Sequence, residues 1–406
     1  MKRWLIILSI IFGIGFISST ILAGRVYYQD LKNYTDYDKK ELQAETLKNI
    51  YIKSSVPVEI YPTQGQPYVE FNQTFIDLIG AAPEYELDVQ TKGENTYIEL
   101  SEINETFLSL GIKENRTQLS IYLPQKTIDR LSIENDEYFH YKRNKQIINL
   151  EGINVNELTT NMNETEFILD GDYEKIDINA SEGKLNLKSN TLVQIVIDGN
   201  LEQYLTGKFD KITINNNSRD VVVDSMSASS IEVNSSGSNI DLKGNYSRVK
   251  INGDHNILDI RSESVCRLYT EGYRNYITGN GAFEVMSLKG NNSEIEIQTT
   301  VTPTKVDLGE ESHHNILILT VPSNIPGFTV KYLDGYNMEE ENLDYSSDYE
   351  TDDLGVTSDF ILKNGKNEKG EGVFTYGDGS LQILFNRNQG NSLEIIDGVY
   401  SSSVTP

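Results

Sequence analysis

Apolar and polar side chains alternate along most of the chain from about residue 49. Segments such as Val58-Glu59-Ile60, Tyr97-Ile98-Glu99-Leu100 and Leu119-Ser120-Ile121-Tyr122-Leu123 place every second side chain on one side of an extended backbone. A period of two is typical of strands that bury one face. The pattern therefore predicts an all-β protein.

Between residues 165 and 300 the alternating pairs recur at regular intervals. Within the runs 167–197 and 212–260, successive pairs begin nine or ten positions apart, with turn formers such as Gly171-Asp172 and Gly244-Asn245 between them. The pairs are Phe167/Leu169, Ile176/Ile178, Leu185/Leu187, Ile195/Ile197, Ile212/Ile214, Val221/Val223, Ile231/Val233, Ile240/Leu242, Val249/Ile251 and Leu258/Ile260. The register blurs near residue 204 and at 266–285, and returns at Ile295/Ile297.

Units this short cannot bury their own apolar faces, whereas stacking many of them buries a continuous core. Two units would form one coil of about 18–20 residues. We therefore predict a parallel β-solenoid (β-helix) over residues 49–320, with a less regular N-terminal part. Short strands at this spacing also fit an antiparallel β-sandwich or barrel, which stays as the alternative.

Residues 321–400 depart from the repeat and are predicted to form a C-terminal β cap. Strand patterns return at Ser358-Asp359-Phe360-Ile361-Leu362 and Leu381-Gln382-Ile383-Leu384-Phe385. Between them and the repeat, the acidic tract 334–353 holds nine carboxylates and no Lys or Arg. Its charge and scarce apolar area predict a solvated loop outside the core.

The N-terminus carries an apolar segment. Met1-Lys2-Arg3 precedes Trp4 to Ala23, twenty residues without a charge, which as a helix would span about 30 Å. We expect residues 1–3 in the cytoplasm, a transmembrane signal-anchor at 4–24, and a juxtamembrane stalk at 25–48 with a short helix at 36–48. The rest would lie outside the cell (N-in, C-out). The alternative is a signal peptide cleaved after Ala23, which would release a secreted protein.

The net charge of the chain limits its binding partners, and its cysteine content limits its disulfide bonds. A net charge of −26 and a pI near 4.5 repel nucleic acid, which we exclude as a partner. Cys266 is the one cysteine, so no intramolecular disulfide can form, and we expect a buried thiol there.

Three further short segments suggest chemistry but are better explained by turns and strands. Asp254-His255 lies in a Gly-Asp turn context, and His313-His314 would point to opposite faces of a strand. Gly377-Asp378-Gly379 is typical of a tight turn. We therefore expect no catalytic residues, no metal site and no cofactor.

Several segments together carry a family resemblance. Ile50-Tyr51-Ile52-Lys53-Ser54-Ser55 opens the strand region, Leu123-Pro124-Gln125-Lys126 leads into Leu131-Ser132-Ile133, and Tyr376-Gly377-Asp378-Gly379-Ser380-Leu381 precedes the last strands. With the apolar N-terminus and the repeated pairs, they make residues 49–390 resemble the bacterial "putative-adhesin" family of membrane-anchored β-solenoid proteins, whose function is largely unassigned. The resemblance implies a location at the cell surface, in the cell envelope, and brings no catalytic residues.

The sequence thus predicts a non-catalytic, adhesin-like binding scaffold anchored in the membrane. Its partner would be a cell-wall polymer, a matrix component or a membrane protein. One alternative is an envelope-stress accessory that acts through a membrane partner. A carbohydrate-active β-helix enzyme is the other, because such enzymes use clustered carboxylates on stacked coils.

Overall fold

The computed structural model describes residues 32–77, 83–104, 114–135, 146–309, 312–332, 356–360, 363–366, 372–385 and 390–398. These residues form strands, turns and the 3-10 helix Ala44–Thr46, which confirms the all-β prediction. None of the helices they contain is both long and apolar enough to cross a membrane. The predicted span 4–24 and the acidic tract 334–353 lie outside the described residues.

Backbone contacts divide the described residues into two compact units. Unit 1 holds those within Met1–Gln125 and Ser132–Ile148, and unit 2 those within Lys126–Leu131 and Asn149–Pro406. The strands up to residue 149 are β1 (Lys32–Glu41), β2 (Asn49–Ser54), β3 (Val58–Thr63), β4 (Tyr68–Asp77), β5 (Glu84–Lys92), β6 (Asn95–Asn104), β7 (Glu114–Pro124), β8 (Thr127–Asn135) and β9 (Gln146–Asn149).

Unit 1 mixes parallel and antiparallel pairs. Strand β4 pairs antiparallel with both β1 and β7, and β5 pairs antiparallel with β6. Strands β2 and β3 pair in parallel with β6 and β7. The alternation seen in the sequence buries one face of these strands, including Ile50, Ile52, Val58, Ile60 and Leu119.

The prediction of a short helix at 36–48 is wrong for residues 36–41. Residues 32–41 form β1, whose backbone pairs with β4 over its whole length, and only Ala44–Thr46 is helical, as a 3-10 turn. Leu42 and Leu47 are fully buried. The open edge of β4 offers backbone partners to this polar segment, and such pairing overrides weak local helix preference.

The strands after residue 149 are β10 (Asn154–Met162), β11 (Thr165–Asp170), β12 (Tyr173–Asn217), β13 (Val221–Ser236), β14 (Asn239–Tyr246), β15 (Arg248–Asn252), β16 (Ile257–Glu271), β17 (Tyr276–Leu288), β18 (Gly290–Asn291), β19 (Glu294–Thr299), β20 (Lys305–Leu308), β21 (Ser312–His313), β22 (Ile316–Val321), β23 (Gly327–Tyr332), β24 (Val356–Ser358), β25 (Lys363–Lys366), β26 (Gly372–Gly377), β27 (Leu381–Phe385) and β28 (Ser392–Asp397).

Most pairs in unit 2 are parallel and join positions two units of the sequence repeat apart. Phe167 pairs with Leu185, and Leu258 pairs with Ile277. The repeated Ile, Val and Leu pairs of the sequence are thereby brought side by side and are buried. Parallel strands buried in this way favour β-branched and other aliphatic side chains, which the repeat supplies.

Irregularities in the pairing explain where the sequence register blurs. Near residue 204 the ladder shifts between Gly207 and Lys208, and Gln203 occupies a fully buried position beside Val221. Neither amide atom of Gln203 has a hydrogen-bond partner among the described residues. A second shift, between Ser262 and Arg267, accounts for the blur that begins at 266.

One corner of the repeat uses the same backbone device in successive turns. A residue with positive φ is followed by a buried Asn or Ser; for example, the backbone N–H of Asn256 donates to Asn275 Oδ1 at 2.9 Å. The positive-φ residues of this corner are Gly237, His255, Arg274, Asn292, His314 and Gly390. Side-chain amides thus satisfy corner backbone groups that the strand ladders leave unpaired.

The ladder resumes after a long insertion. Strand β22 pairs in parallel with β28, and the N–H of Asn315 donates to Asn391 Oδ1 at 3.0 Å. Within the insertion, β23 pairs with β26 and β27, and β24 pairs with β28. In the sequence, the acidic tract 334–353 therefore lies between β23, which pairs with β27, and β24, which pairs with β28.

Candidate binding surface

Three tyrosines line up across neighbouring strands of unit 1. Tyr61 on β3 pairs with Tyr122 on β7, and Tyr122 pairs with Tyr68 on β4. They alternate with buried residues such as Ile60 and Ile121, so their side chains lie on the opposite, half-exposed face. We call Tyr61, Tyr122 and Tyr68 the tyrosine row.

The rings of the tyrosine row pack against one another. The Tyr68 and Tyr122 ring centroids are 4.3 Å apart in a stacked arrangement, and those of Tyr61 and Tyr122 are 5.8 Å apart. The Lys39 ammonium lies 3.7 Å from the Tyr68 ring centroid. This packing fixes the rings, since stacked rings and a cation over one face restrict rotation.

The phenols of Tyr61 and Tyr122 remain neutral at physiological pH. Burial raises the pKa of Tyr61 to about 12, helped by its hydroxyl donating to Glu59 Oε2 at 2.8 Å. Burial also raises the pKa of Tyr122 to about 12, with further contributions from Tyr68 and Glu70. The hydroxyls of Tyr61 and Tyr122 therefore keep their protons and can both donate and accept hydrogen bonds.

This arrangement suits binding. Rigid tyrosines offer large amphipathic contact area at low cost in side-chain entropy, which is why they are enriched at recognition surfaces. The rings lie against each other, so a ligand would meet their edges and hydroxyls. A second stacked pair in unit 1, Tyr51 and Tyr97, has centroids 5.1 Å apart, and Tyr97 is 40% exposed.

The segment Asp254-His255 serves the corner of the repeat. Asp254 Oδ1 accepts a hydrogen bond from the backbone N–H of Tyr273 at 2.8 Å. His255 has a φ of 58°, and its ring lies edge-on to the Tyr273 ring at 5.4 Å. Both residues therefore have the turn role that the sequence favoured.

The other two segments also lie at turns or short pairings. His313 pairs with Asn291 in β21, whereas His314 has a φ of 52° and follows that strand. No group of three or more His, Cys, Asp or Glu side chains among the described residues is placed to hold a metal ion. At Gly377-Asp378-Gly379, both glycines have positive φ and Asp378 Oδ1 accepts from the N–H of Ser380 at 3.0 Å, which confirms the turn.

The Cys266 thiol is buried, as predicted. Its side chain is fully inaccessible, and burial raises the pKa of the thiol to about 11. A protonated, inaccessible thiol is a poor nucleophile.

Sequence reasoning missed the tyrosine row. Which tyrosines meet depends on the pairing of β3, β4 and β7. Tyr61 and Tyr122 stand far apart in the chain. The signal was the tyrosine at an exposed position of three alternating strands, and the register that joins them is a tertiary property.

Neither a protein-family model nor a curated protein matches the chain. Among solved structures, it is similar to a "putative cell adhesion protein" from Clostridium sporogenes, at 12% identity and a TM-score of 0.20, over 90% of this chain and all of that one. "Putative adhesins" from Parabacteroides distasonis and Parabacteroides merdae match at 8% and 10% identity, with TM-scores of 0.29 and 0.28. They cover 72% and 71% of this chain, and 91% and 89% of their own. The function proposed below does not rest on these matches.

Proposed function

We propose that this chain is a non-catalytic, adhesin-like binding scaffold at the cell surface, and that the tyrosine row contacts its ligand. The observation that carries this proposal is the set of three packed, half-exposed tyrosines on one face of unit 1. The segments that suggested catalysis or metal binding, Asp254-His255 and His313-His314, have backbone roles in turns and short pairings.

We further propose that unit 2 winds as a parallel β-solenoid. The support is the near-constant offset between parallel partners, as from Phe167 to Leu185, from Ile231 to Val249 and from Leu258 to Ile277, together with buried aliphatic columns. A solenoid presents an extended and regular surface, which suits a scaffold. In this proposal the chain is held in the membrane by residues 4–24, with the remainder outside the cell.

The tyrosine row is tested by removing only its hydroxyl groups. The full-length triple variant Y61F/Y68F/Y122F keeps the ring packing, and Y51F/Y97F serves as the matched control on the other stacked pair. Each labelled protein is titrated onto intact bacterial cells and purified cell-wall sacculi. We expect the triple variant to bind about tenfold or more weakly, since each lost hydrogen bond costs about 1 kcal/mol, and the control to bind like the wild type.

Two results would contradict the proposal. The first is wild-type protein that binds neither cells nor sacculi. The second is equal binding by the wild type and the triple variant, which would show that the tyrosine row is not the contact surface. Turnover of a wall polysaccharide by the wild type would instead favour an enzyme.

The proposed location of the chain, anchored in the membrane with its remainder outside the cell, is tested separately. Protease added to intact cells should degrade the chain outside the membrane and leave an N-terminal fragment in the membrane. A mature N-terminus at or near Gly24 would mean that the apolar segment is cleaved and that the protein is secreted.

A further inference from the structure

A column of basic residues crosses unit 2. The parallel register places Arg248, Arg267, Val285 and Lys305 side by side on successive strands. Because Ile231 pairs with Val249, the column continues in the other direction through Ser230 to Lys211. We call Lys211, Arg248, Arg267 and Lys305 the basic column. Neighbouring strands lie about 4.8 Å apart, so the column is about 24 Å long.

A groove of about 310 Å³ lies at the middle of the basic column. Its lining residues are Ser247, Arg248, Val265, Arg267, Tyr269 and Glu284. The ladder shift between Ser262 and Cys266 creates one wall of it, because the extra residues bulge outward and leave Val265 54% exposed. Ser264 Oγ fixes the bulge by donating to the Tyr246 carbonyl at 3.1 Å.

The two arginines of the groove are held in place and share one carboxylate. The Arg248 guanidinium lies 4.7 Å from the Tyr269 ring centroid, and no carboxylate among the described residues forms an ion pair with it. Arg267 Nε is 3.5 Å from Glu284 Oε2. One carboxylate therefore faces two adjacent guanidinium groups, and like charges on directly paired positions destabilise a sheet.

Another pair of adjacent cations lies outside the groove. Lys243 on β14 pairs with Arg261 on β16. Arg261 is bound by Asp259 on its own strand, and that carboxylate raises the pKa of the guanidinium. Arg248 lacks such a partner among the described residues, although the chain as a whole has an excess of acids and a net charge of −26.

We propose that the groove binds the oxyanion groups of an acidic polysaccharide, with Arg248 and Arg267 contacting one carboxylate or phosphate. Guanidinium groups match the planar geometry of these oxyanions and form charge-assisted hydrogen bonds with them. Lys211 and Lys305 stand about two strand spacings, or about 10 Å, beyond the arginines on either side. Lys305 also forms an exposed ion pair with Asp307 at 2.9 Å, which a ligand would have to compete with. A polymer with repeated anionic groups can meet the arginines and the flanking lysines together, which a single small anion cannot.

This site rests on the proposed role as a binding scaffold and names a class of ligand for it. It uses no residue of the tyrosine row and lies in the other unit, so the two proposals can fail separately.

The test compares two double variants of the full-length chain that lose the same charge. R248Q/R267Q removes the arginines of the groove, and K243Q/R261Q removes an adjacent Lys–Arg pair outside it, of which Arg261 is bound by Asp259. Binding is measured to polygalacturonate, which carries carboxylates, to poly(glycerol phosphate), and to neutral dextran. We expect R248Q/R267Q to bind the polyanions about tenfold or more weakly, and K243Q/R261Q to stay within about twofold of the wild type.

The polymers also separate the sources of the anion. Wild-type binding to one polyanion alone assigns carboxylate or phosphate, and binding to both assigns their shared oxyanion chemistry. The proposal is overturned if the wild type binds neither polyanion, if it binds dextran equally well, or if both double variants lose affinity equally. Thermal unfolding checks the fold of each variant. Should R248Q/R267Q unfold, R248Q alone answers the same question, because Arg248 stacks on Tyr269 without an ion pair among the described residues.

Discussion

Replacing Ile214 with Asp places a carboxylate in the buried part of unit 2. Ile214 lies on β12, is fully buried, and pairs with Val233 on β13, which in turn pairs with Ile251 on β15. All three side chains are nearly or completely inaccessible. The substitution therefore removes an aliphatic side chain from a continuous buried column and leaves a charged group there without a partner.

The expected loss can be built from its parts. Truncating a buried Ile to Ala costs about 2–5 kcal/mol, including the cavity that is left. An unpaired buried carboxylate adds several kcal/mol more or must take up a proton. We therefore expect Ile214→Asp to lower the free energy of unfolding by at least about 5 kcal/mol, which exceeds most single substitutions and approaches the total stability of many domains.

The assay is urea unfolding followed by far-ultraviolet circular dichroism. Ile214→Val should cost only about 0.5–1.5 kcal/mol. Asp210→Asn is the polar control: Asp210 lies within β12 and accepts hydrogen bonds from Gln194 Nε2 at 3.1 Å and Ser229 Oγ at 3.0 Å. Asn keeps one of these two oxygen acceptors and loses the other, and both hydrogen bonds lie at the exposed surface, so we expect a loss of about 1 kcal/mol. Equal, small losses in the free energy of unfolding for Ile214→Asp and Asp210→Asn would refute the assignment of Ile214 to the buried face.

Burial and charge lead to three further predictions. Cys266 should resist maleimide near neutral pH in the folded protein and react after unfolding, as a labelling time course would show. The pKa of Tyr61 and of Tyr122 is about 12 in the folded protein, above the usual 10.0. The protonated phenols should therefore stabilise the fold fully below pH 10, and this stabilisation should be lost as the pH rises towards 12. Unfolding measured over this pH range should show that loss in the wild type and not in Y61F/Y122F. Deleting residues 334–353 should leave the melting temperature nearly unchanged, and a large drop in calorimetry would show that the acidic tract packs in the cap.

The periodic part of the chain was predictable because one rule governs it. Alternation gives the buried face of each strand, and the regular spacing of the apolar pairs gives the turns, so residues such as Ile231 and Val249 were assigned correctly as buried. The same period would have revealed the basic column, since Lys211, Arg248 and Arg267 fall at the same position of the repeat.

What the sequence could not predict depends on contacts between distant segments. The polar segment that forms β1 has little strand preference and becomes a strand because β4 offers it a partner. The tyrosine row likewise depends on which strands lie beside β7. The return of the ladder at Asn391, after the long insertion, has no local signal other than an Asn that follows a Gly.

The most direct test of the surface-scaffold account is a pull-down with the full-length chain and with residues 25–406, using intact cells, cell-wall sacculi and solubilised membranes as separate inputs. The account predicts that both proteins retain cells or sacculi equally well, because binding belongs to the described strands and not to the apolar segment. Recovery of a membrane protein by the full-length chain alone, with no binding to cells or sacculi by residues 25–406, would contradict it and favour an accessory that acts through a membrane partner.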